Sequence, residues 1–214
     1  MKPVEIKICG ITSEEAMEAA VEAGADYVGL VFFPPSPRCV TPERAAELVE
    51  FLPADLVKVG LFVDPDDSTL DRVLSQVRLD LVQVHGRETP ERLEQIRLEY
   101  GLPVMKVIPV SEAADLAAAN PFLAVADRLL FDAKPPKGAT LPGGNAVSFD
   151  WTLLQGRKWG LPWMLAGGLT PDNVAEAVRI TGARAVDVSS GVESAPGIKD
   201  PARIRAFIKA ARGA

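Results

Sequence analysis

The sequence predicts a single (β/α)8 barrel, the TIM-barrel architecture, with residues 1–214 forming one domain. Three observations lead there. Aliphatic, strand-like runs alternate about eight times with segments that open on helix-capping residues. No break in composition divides the 214 residues, a length near the lower limit for a complete barrel. Distinctive polar residues recur where strands end, the face on which barrels of this kind carry their chemistry. An open, doubly wound sheet shares the same alternation and is the competing architecture.

The elements follow in order. Residues 4–10 are aliphatic and β-branched, as a buried parallel strand should be. Thr12 and Ser13 offer an N-cap, Glu14 and Glu15 suit the positive end of the helix dipole, and Gly24 stops the helix. Strand two covers 25–33. Pro34, Pro35 and Pro37 then make residues 34–41 a stiff loop, and Thr41-Pro42-Glu43 opens the next helix with proline at its first position. Strand three covers 56–63, with Asp64-Pro65-Asp66-Asp67 as loop and cap and a helix ending near Arg78. Strand four covers 81–85, and Thr89-Pro90-Glu91 starts its helix. Strand five covers 103–109, followed by a helix from Ser111 to Ala119, and strand six covers 128–133. Residues 134–147, rich in proline and glycine, form the largest irregular loop, of a length that is often functional. Strand seven covers 161–166, Thr170-Pro171-Asp172 caps the next helix, strand eight covers 185–189, and a last helix spans 201–212.

Bulk composition narrows the function. A net charge of −6 disfavours nucleic acid as a partner, because a phosphate backbone needs a basic surface. No run of about 18 apolar residues exists to cross a membrane. The N-terminus alternates charged and aliphatic residues and lacks the apolar centre of a signal peptide, so a cytoplasmic protein is expected. Two cysteines, Cys9 and Cys39, do not make a disulfide framework. One histidine rules out a His-rich metal site, no G-x-S-x-G elbow supports a Ser-His-Asp triad, and no G-x-G-x-x-G follows strand one. Neither metal nor cofactor is expected. Whether the chain is a monomer or a homodimer is not legible.

Five strand ends and one loop hold the candidates. Cys9 ends strand one just before a helix start, with Lys7 on the same strand face. A thiolate there could serve as a base if the lysine or the helix terminus lowered its pKa; taken alone, the residue reads rather as a small buried packing residue. Asp132 leaves the apolar run Leu129–Phe131, where partial desolvation would raise its pKa and suit a general acid. It fits a turn-capping aspartate as well. Gly167-Gly168 after strand seven and Ser189-Ser190-Gly191 after strand eight precede helix starts, where backbone N–H groups can hold phosphate; tight turns use the same residues. Arg38 ends the proline loop, and its fork suits a carboxylate, although by itself it reads as a solvated surface residue. His85 ends strand four, at the active face or as a structural imidazole. Cys39 reads as packing, and Trp151, Trp159 and Trp163 as core around the entry to strand seven.

In order along the chain, these pieces resemble the phosphoribosylanthranilate isomerase family of tryptophan biosynthesis. Lys7-Ile8-Cys9-Gly10-Ile11-Thr12, Phe33-Pro34-Pro35-Ser36-Pro37-Arg38, Val59-Gly60-Leu61-Phe62-Val63 and Val82-Gln83-Val84-His85-Gly86 are similar to its first four strand ends. Leu130-Phe131-Asp132, Phe149-Asp150-Trp151, Ala166-Gly167-Gly168-Leu169 and the run from Asp187 through Ser189-Ser190-Gly191-Val192 to Glu193 complete the set. The resemblance implies Cys9 as general base and Asp132 as general acid. It implies that Arg38 binds the anthranilate carboxylate, that Gly167, Gly168, Ser189, Ser190 and Gly191 hold phosphate, and that Asp187 contacts substrate. The implied partner is a small phosphosugar and the implied reaction an Amadori rearrangement without metal or redox cofactor. Two departures stand out: Gly143-Gly144-Asn145-Ala146 has alanine where glycine is usual, and Cys39 stands where an aromatic residue is usual. The rivals are a lyase barrel of the indole-glycerol-phosphate synthase type, which would need a catalytic lysine and further glutamates, and a non-catalytic phosphosugar-binding barrel. A histidine-pathway isomerase would have aspartate in place of Cys9.

Overall fold

A computed structural model describes residues 3–136, 138, 139, 141–145 and 147–214. Ala146, the departure noted above, lies outside the described residues. Eight parallel strands close into a barrel in sequential order, which settles the choice against an open sheet. They are β1 (Glu5–Cys9), β2 (Tyr27–Val31), β3 (Val57–Phe62), β4 (Leu81–Val84), β5 (Val104–Val110), β6 (Arg128–Ala133), β7 (Trp163–Leu165) and β8 (Ala185–Val188). The helices are α1 (Glu14–Glu22), α2 (Pro42–Val49), α3 (Asp67–Leu74), α4 (Pro90–Tyr100), α5 (Val174–Thr181) and α6 (Pro201–Arg212). A short hairpin, β9 (Glu193–Ala195) with β10 (Ile198–Lys199), follows β8.

Local chemistry explains most of these boundaries. The side chains of Ser13, Thr41, Asp66 and Thr89 each accept a hydrogen bond from the main-chain N–H three residues on. Each removes one of the unpaired donors that every helix start leaves. Proline stands at the first turn of α2, α4 and α6, where its missing N–H costs nothing.

Several expectations need correction. The segment after β5 is a 3-10 helix, Ala113–Phe122, rather than an α-helix over 111–119. Asp115 pulls its start into a tight turn by accepting from Ser111 and Glu112 main-chain N–H groups, and Pro121 near its end has no N–H to give. Thr170-Pro171-Asp172 does not cap α5. The cap position is Asn173, whose Oδ1 accepts from Thr170 N–H and whose Nδ2 donates to Gly168 O, so it fastens the preceding loop instead. Strands two and seven are shorter than the expected 25–33 and 161–166, and α3 ends at Leu74 rather than near Arg78.

Alternate residues of each strand face the barrel interior. A middle layer of Val59, Leu81, Met105, Val107, Leu130, Met164 and Ala185 fills it, and a larger apolar cluster lies between strands and helices. At the N-terminal end Glu5 accepts from Tyr27 Oη at 2.8 Å and from Arg128 Nη1 at 2.9 Å, with the guanidinium 5.2 Å above the tyrosine ring. Trp159 and Trp163 are half-buried and pack on the edge of the core, with ring centroids 4.6 and 5.8 Å from that of Phe131. Among the described residues no helix is long and apolar enough to cross a membrane, and both cysteines are free thiols.

Candidate active site at the C-terminal mouth of the barrel

The same alternation that packs the interior sends positions 7 and 9 of β1, 83 of β4 and 85 just past its end, 132 of β6 and 187 of β8 toward the barrel axis. Cys9, Arg38, His85, Asp132, Asp187 and Ser189 line one pocket at the strands' C-terminal ends, walled on one side by Val31, Phe33, Leu61 and Val63. A second cleft adjoins it, lined by Gly167, Gly168, Ser189, Ser190 and Gly191, and the two share Asp132, Gly144, Asp187 and Ser189. Every residue singled out from the sequence as a candidate for substrate or chemistry therefore lies around one continuous hollow.

Glycine is required in the second cleft. Gly167 and Gly168 take φ of +86° and +65°, which side chains with a Cβ rarely adopt, and a Cβ at Gly168 would lie 2.8 Å from Ser148 N. The amides of Gly167, Gly168 and Gly191 find no acceptor among the described residues. Donors grouped in this way form a concave nest suited to an oxyanion.

Beside Cys9, Lys7 is completely buried and pairs with Asp187 at 2.9 Å. The two sit level across the β1–β8 register. Burial alone would lower the Lys7 pKa, but Asp187 and the neighbouring Cys9 raise it above the ordinary lysine value. Burial pushes the Cys9 thiol up, and the charges of Lys7 and Lys199 only partly oppose that. The condition for an acidified thiol is therefore not met in the resting site: desolvation of the thiolate outweighs the nearby ammonium. Asp132 behaves as expected. Burial, reinforced by the charge of Asp187, pushes its carboxyl up to about 7, and its Oδ1 accepts from Ala133 N–H. His85 faces the pocket with Nε2 3.5 Å from Asp132 Oδ2. Burial and the ammonium groups of Lys106 and Lys7 push its imidazole down to about 3, so it is neutral near pH 7.

Arg38 is not a solvated surface residue. It is 5% exposed, and its Nε and Nη2 donate to Glu193 at 2.7 and 2.9 Å. Glu193 also accepts from Lys199 Nζ at 2.6 Å. Sequence reasoning did not assign these two residues, nor Lys7 or Gln83, to the site. Lys7 carried a signal, a cation inside an aliphatic strand on the same face as Cys9. The pairing of Glu193 with Arg38, 155 positions apart, carried none.

The family model for N-(5'phosphoribosyl)anthranilate (PRA) isomerase matches residues 6–210. The N-(5'-phosphoribosyl)anthranilate isomerase of Paramagnetospirillum magneticum is 82% identical over 211 residues, covering 99% of this chain and 98% of that protein. The crystal structure of the Thermotoga maritima phosphoribosyl anthranilate isomerase matches with a TM-score of 0.89 at 39% identity, over 99% of this chain and 100% of the other. A phosphoribosyl anthranilate isomerase crystallised with reduced 1-(o-carboxyphenylamino)-1-deoxyribulose 5-phosphate matches at 0.86 and 38% identity, over the same shares. The chain belongs to the N-(5'-phosphoribosyl)anthranilate isomerase family.

Proposed function

We propose that this chain converts N-(5'-phosphoribosyl)anthranilate to 1-(2-carboxyphenylamino)-1-deoxyribulose 5-phosphate, a step of tryptophan biosynthesis, with Asp132 as general acid and Cys9 as general base. One observation carries the reading. A half-buried carboxyl and a buried thiol from different strands line one pocket, between a guanidinium at one end and, at the other, a nest of amides that find no acceptor among the described residues. Such a hollow suits a ligand with a carboxylate at one end, a phosphate at the other and a proton-transfer centre between them.

Asp132 donates its proton to the furanose ring oxygen. The C1′–O bond breaks, and the nitrogen lone pair forms the C1′=N⁺ bond. That cation acidifies the C2′ hydrogen, which the Cys9 thiolate removes; the released electron pair forms C1′=C2′ and neutralises the nitrogen. A proton then passes from the C2′ hydroxyl to C1′, leaving the ketone. Arg38 holds the anthranilate carboxylate, and the amides and hydroxyls of Gly167, Gly168, Ser189, Ser190 and Gly191 hold the phosphate. Asp187 contacts the substrate where the two clefts meet and fixes Lys7 beneath the thiol.

The acidities impose an order on this scheme. Reaction needs the proton on Asp132 and none on Cys9, while the ligand-free site keeps the thiol protonated and lets Asp132 titrate near 7. The reactive arrangement is therefore a minor one of the singly protonated pair. A developing iminium charge in the pocket favours it, because a cation beside the sulfur stabilises the thiolate.

The test is turnover. The purified chain, without added metal, is expected to consume phosphoribosylanthranilate and release the ketone product. A chain that binds the compound through its phosphate but leaves it unchanged would identify a binding module and overturn the proposal.

A further inference from the structure

Glu193 has no part in the proton transfers, yet it sits at the centre of the pocket's charged corner. It begins β9 and is 6% exposed. Its carboxylate accepts two near-parallel hydrogen bonds from Arg38, one from Lys199 Nζ and a longer one from Gly197 N–H at 3.3 Å. Burial would raise its pKa, but these two cations hold it below the ordinary glutamate value. Two cations share one anion, so the cluster keeps a net charge of +1 in a desolvated corner. That surplus suits one substrate carboxylate.

Geometry says which atoms present it. The Nε and Nη2 edge of Arg38 is committed to Glu193, and Nη2 also donates to Gly144 O at 3.3 Å. The side chain is laid between two glycines at close approach. A Cβ at Gly10 would fall 2.7 Å from Arg38 Cδ, and one at Gly144 2.6 Å from Nη1. Nη1 has no acceptor among the described residues, and Arg38 lines the pocket that holds Cys9 and Asp132. Lys199 extends the network, since its Nζ also donates to Ser189 O at 3.1 Å and Ser189 Oγ at 3.2 Å.

We infer that Glu193 is a positioning residue for substrate recognition: it holds Arg38 so that the Nη1 edge faces the substrate's aromatic carboxylate, and through Lys199 it ties that grip to Ser189 in the anion nest. The inference deepens the reading of Arg38 given above and rests on it. An untethered arginine has several rotatable bonds to freeze on binding, whereas one already forked onto a buried carboxylate loses little further entropy when it meets ligand. The two ends of the substrate are then gripped at a fixed separation by one hydrogen-bonded unit.

The experiment measures binding of two ligands by calorimetry: the reduced product 1-(o-carboxyphenylamino)-1-deoxyribulose 5-phosphate and its counterpart lacking the carboxyl group. The proteins are wild type, Glu193→Gln, Arg38→Gln and the double variant. Glu193→Gln is expected to weaken the carboxylated ligand about tenfold or more, as loss of an aimed charge-assisted contact should. It should change the other ligand by less than about threefold, and its effect should vanish on the Arg38→Gln background. A purely electrostatic role gives the opposite sign, because removing an anion makes the corner more positive and tightens binding. Unchanged or tighter binding therefore overturns the inference, and so does equal weakening of both ligands. If Arg38→Gln binds the carboxylated ligand like wild type, the Arg38 reading itself fails, a separate and recognisable result. If Glu193→Gln does not fold, Glu193→Asp, which keeps the charge but shortens the reach, is expected to show a smaller, equally carboxylate-selective loss, and wild-type affinity in that variant overturns the inference.

Discussion

Replacing Lys7 by methionine removes the cation from a fully buried ion pair without changing the bulk of the strand. At the observed 2.9 Å, and with an effective dielectric of about 20, the attraction to Asp187 is on the order of 6 kcal/mol. Most of that is offset by the cost of taking both charges out of water. What the variant loses is therefore the cost of stranding Asp187, roughly 3–5 kcal/mol for one partner of a buried pair. A chain of this size loses about 2–4 °C in melting temperature per kcal/mol, so the midpoint should fall by roughly 6–20 °C. The double variant Lys7→Met/Asp187→Asn removes both charges and should recover at least half of the loss. A second readout comes from Cys9. Lys7 is the largest influence lowering its thiol pKa, so the thiolate ultraviolet absorbance of Lys7→Met, followed against pH in a Cys39→Ala background, should titrate at higher pH than in the parent. A variant that melts with wild type, or whose thiol titrates unchanged, would refute the account of this pair as both a structural and an electrostatic support of the pocket.

Other outcomes follow from the same geometry. The plot of kcat/KM against pH should rise through about 7, where the doubly protonated pair loses its first proton, and fall above the raised thiol value, where the pair has none; a rate that only falls as pH passes 7 would refute the proton inventory. Gly144→Ala should raise KM about tenfold or more with a smaller change in kcat, because a Cβ would meet Arg38 Nη1 and φ is +71° there; steady-state kinetics decide, and an unchanged KM contradicts it. Arg128→Met, at the opposite end of the barrel, should cost only about 1 kcal/mol, since the Glu5 side chain it pairs with is 45% exposed and solvent screens the pair. Thermal melting should show a shift of a few degrees with kcat retained, and a collapse of the fold would show that the floor matters more than its exposure implies.

The barrel was legible because its signals are local. Aliphatic runs mark strands, and capping residues such as Ser13, Thr41 and Thr89 announce helices within three or four positions. The misreadings occurred where a neighbour in space overrode local preference. The alanine-rich run after β5 looked like an α-helix until Asp115 and Pro121 tightened it, and Asn173 was drawn from capping α5 into bracing the Gly168 loop. The site divides in the same way. Cys9, Asp132 and the glycine–serine turns stand at strand ends that sequence periodicity can locate. The charges that tune them come from far away in the chain. Asp187 meets Lys7 across 180 positions and Glu193 meets Arg38 across 155. No spacing rule reaches such distances. For the same reason Arg38 by itself reads as a surface residue, and the direction in which the Cys9 thiol shifts is not legible, since the extent of burial becomes known only once the barrel closes.

The central claim is that Asp132 supplies a proton and Cys9 removes one in the same pocket. Single-turnover conversion of phosphoribosylanthranilate by Cys9→Ala and by Asp132→Asn tests it most directly, with product-analogue binding measured alongside to show that each pocket still forms. Each variant should bind the analogue near the wild-type level and lose at least ~10²-fold in rate, the usual contribution of a general acid or base. Full activity in either one would contradict the role assigned to that residue.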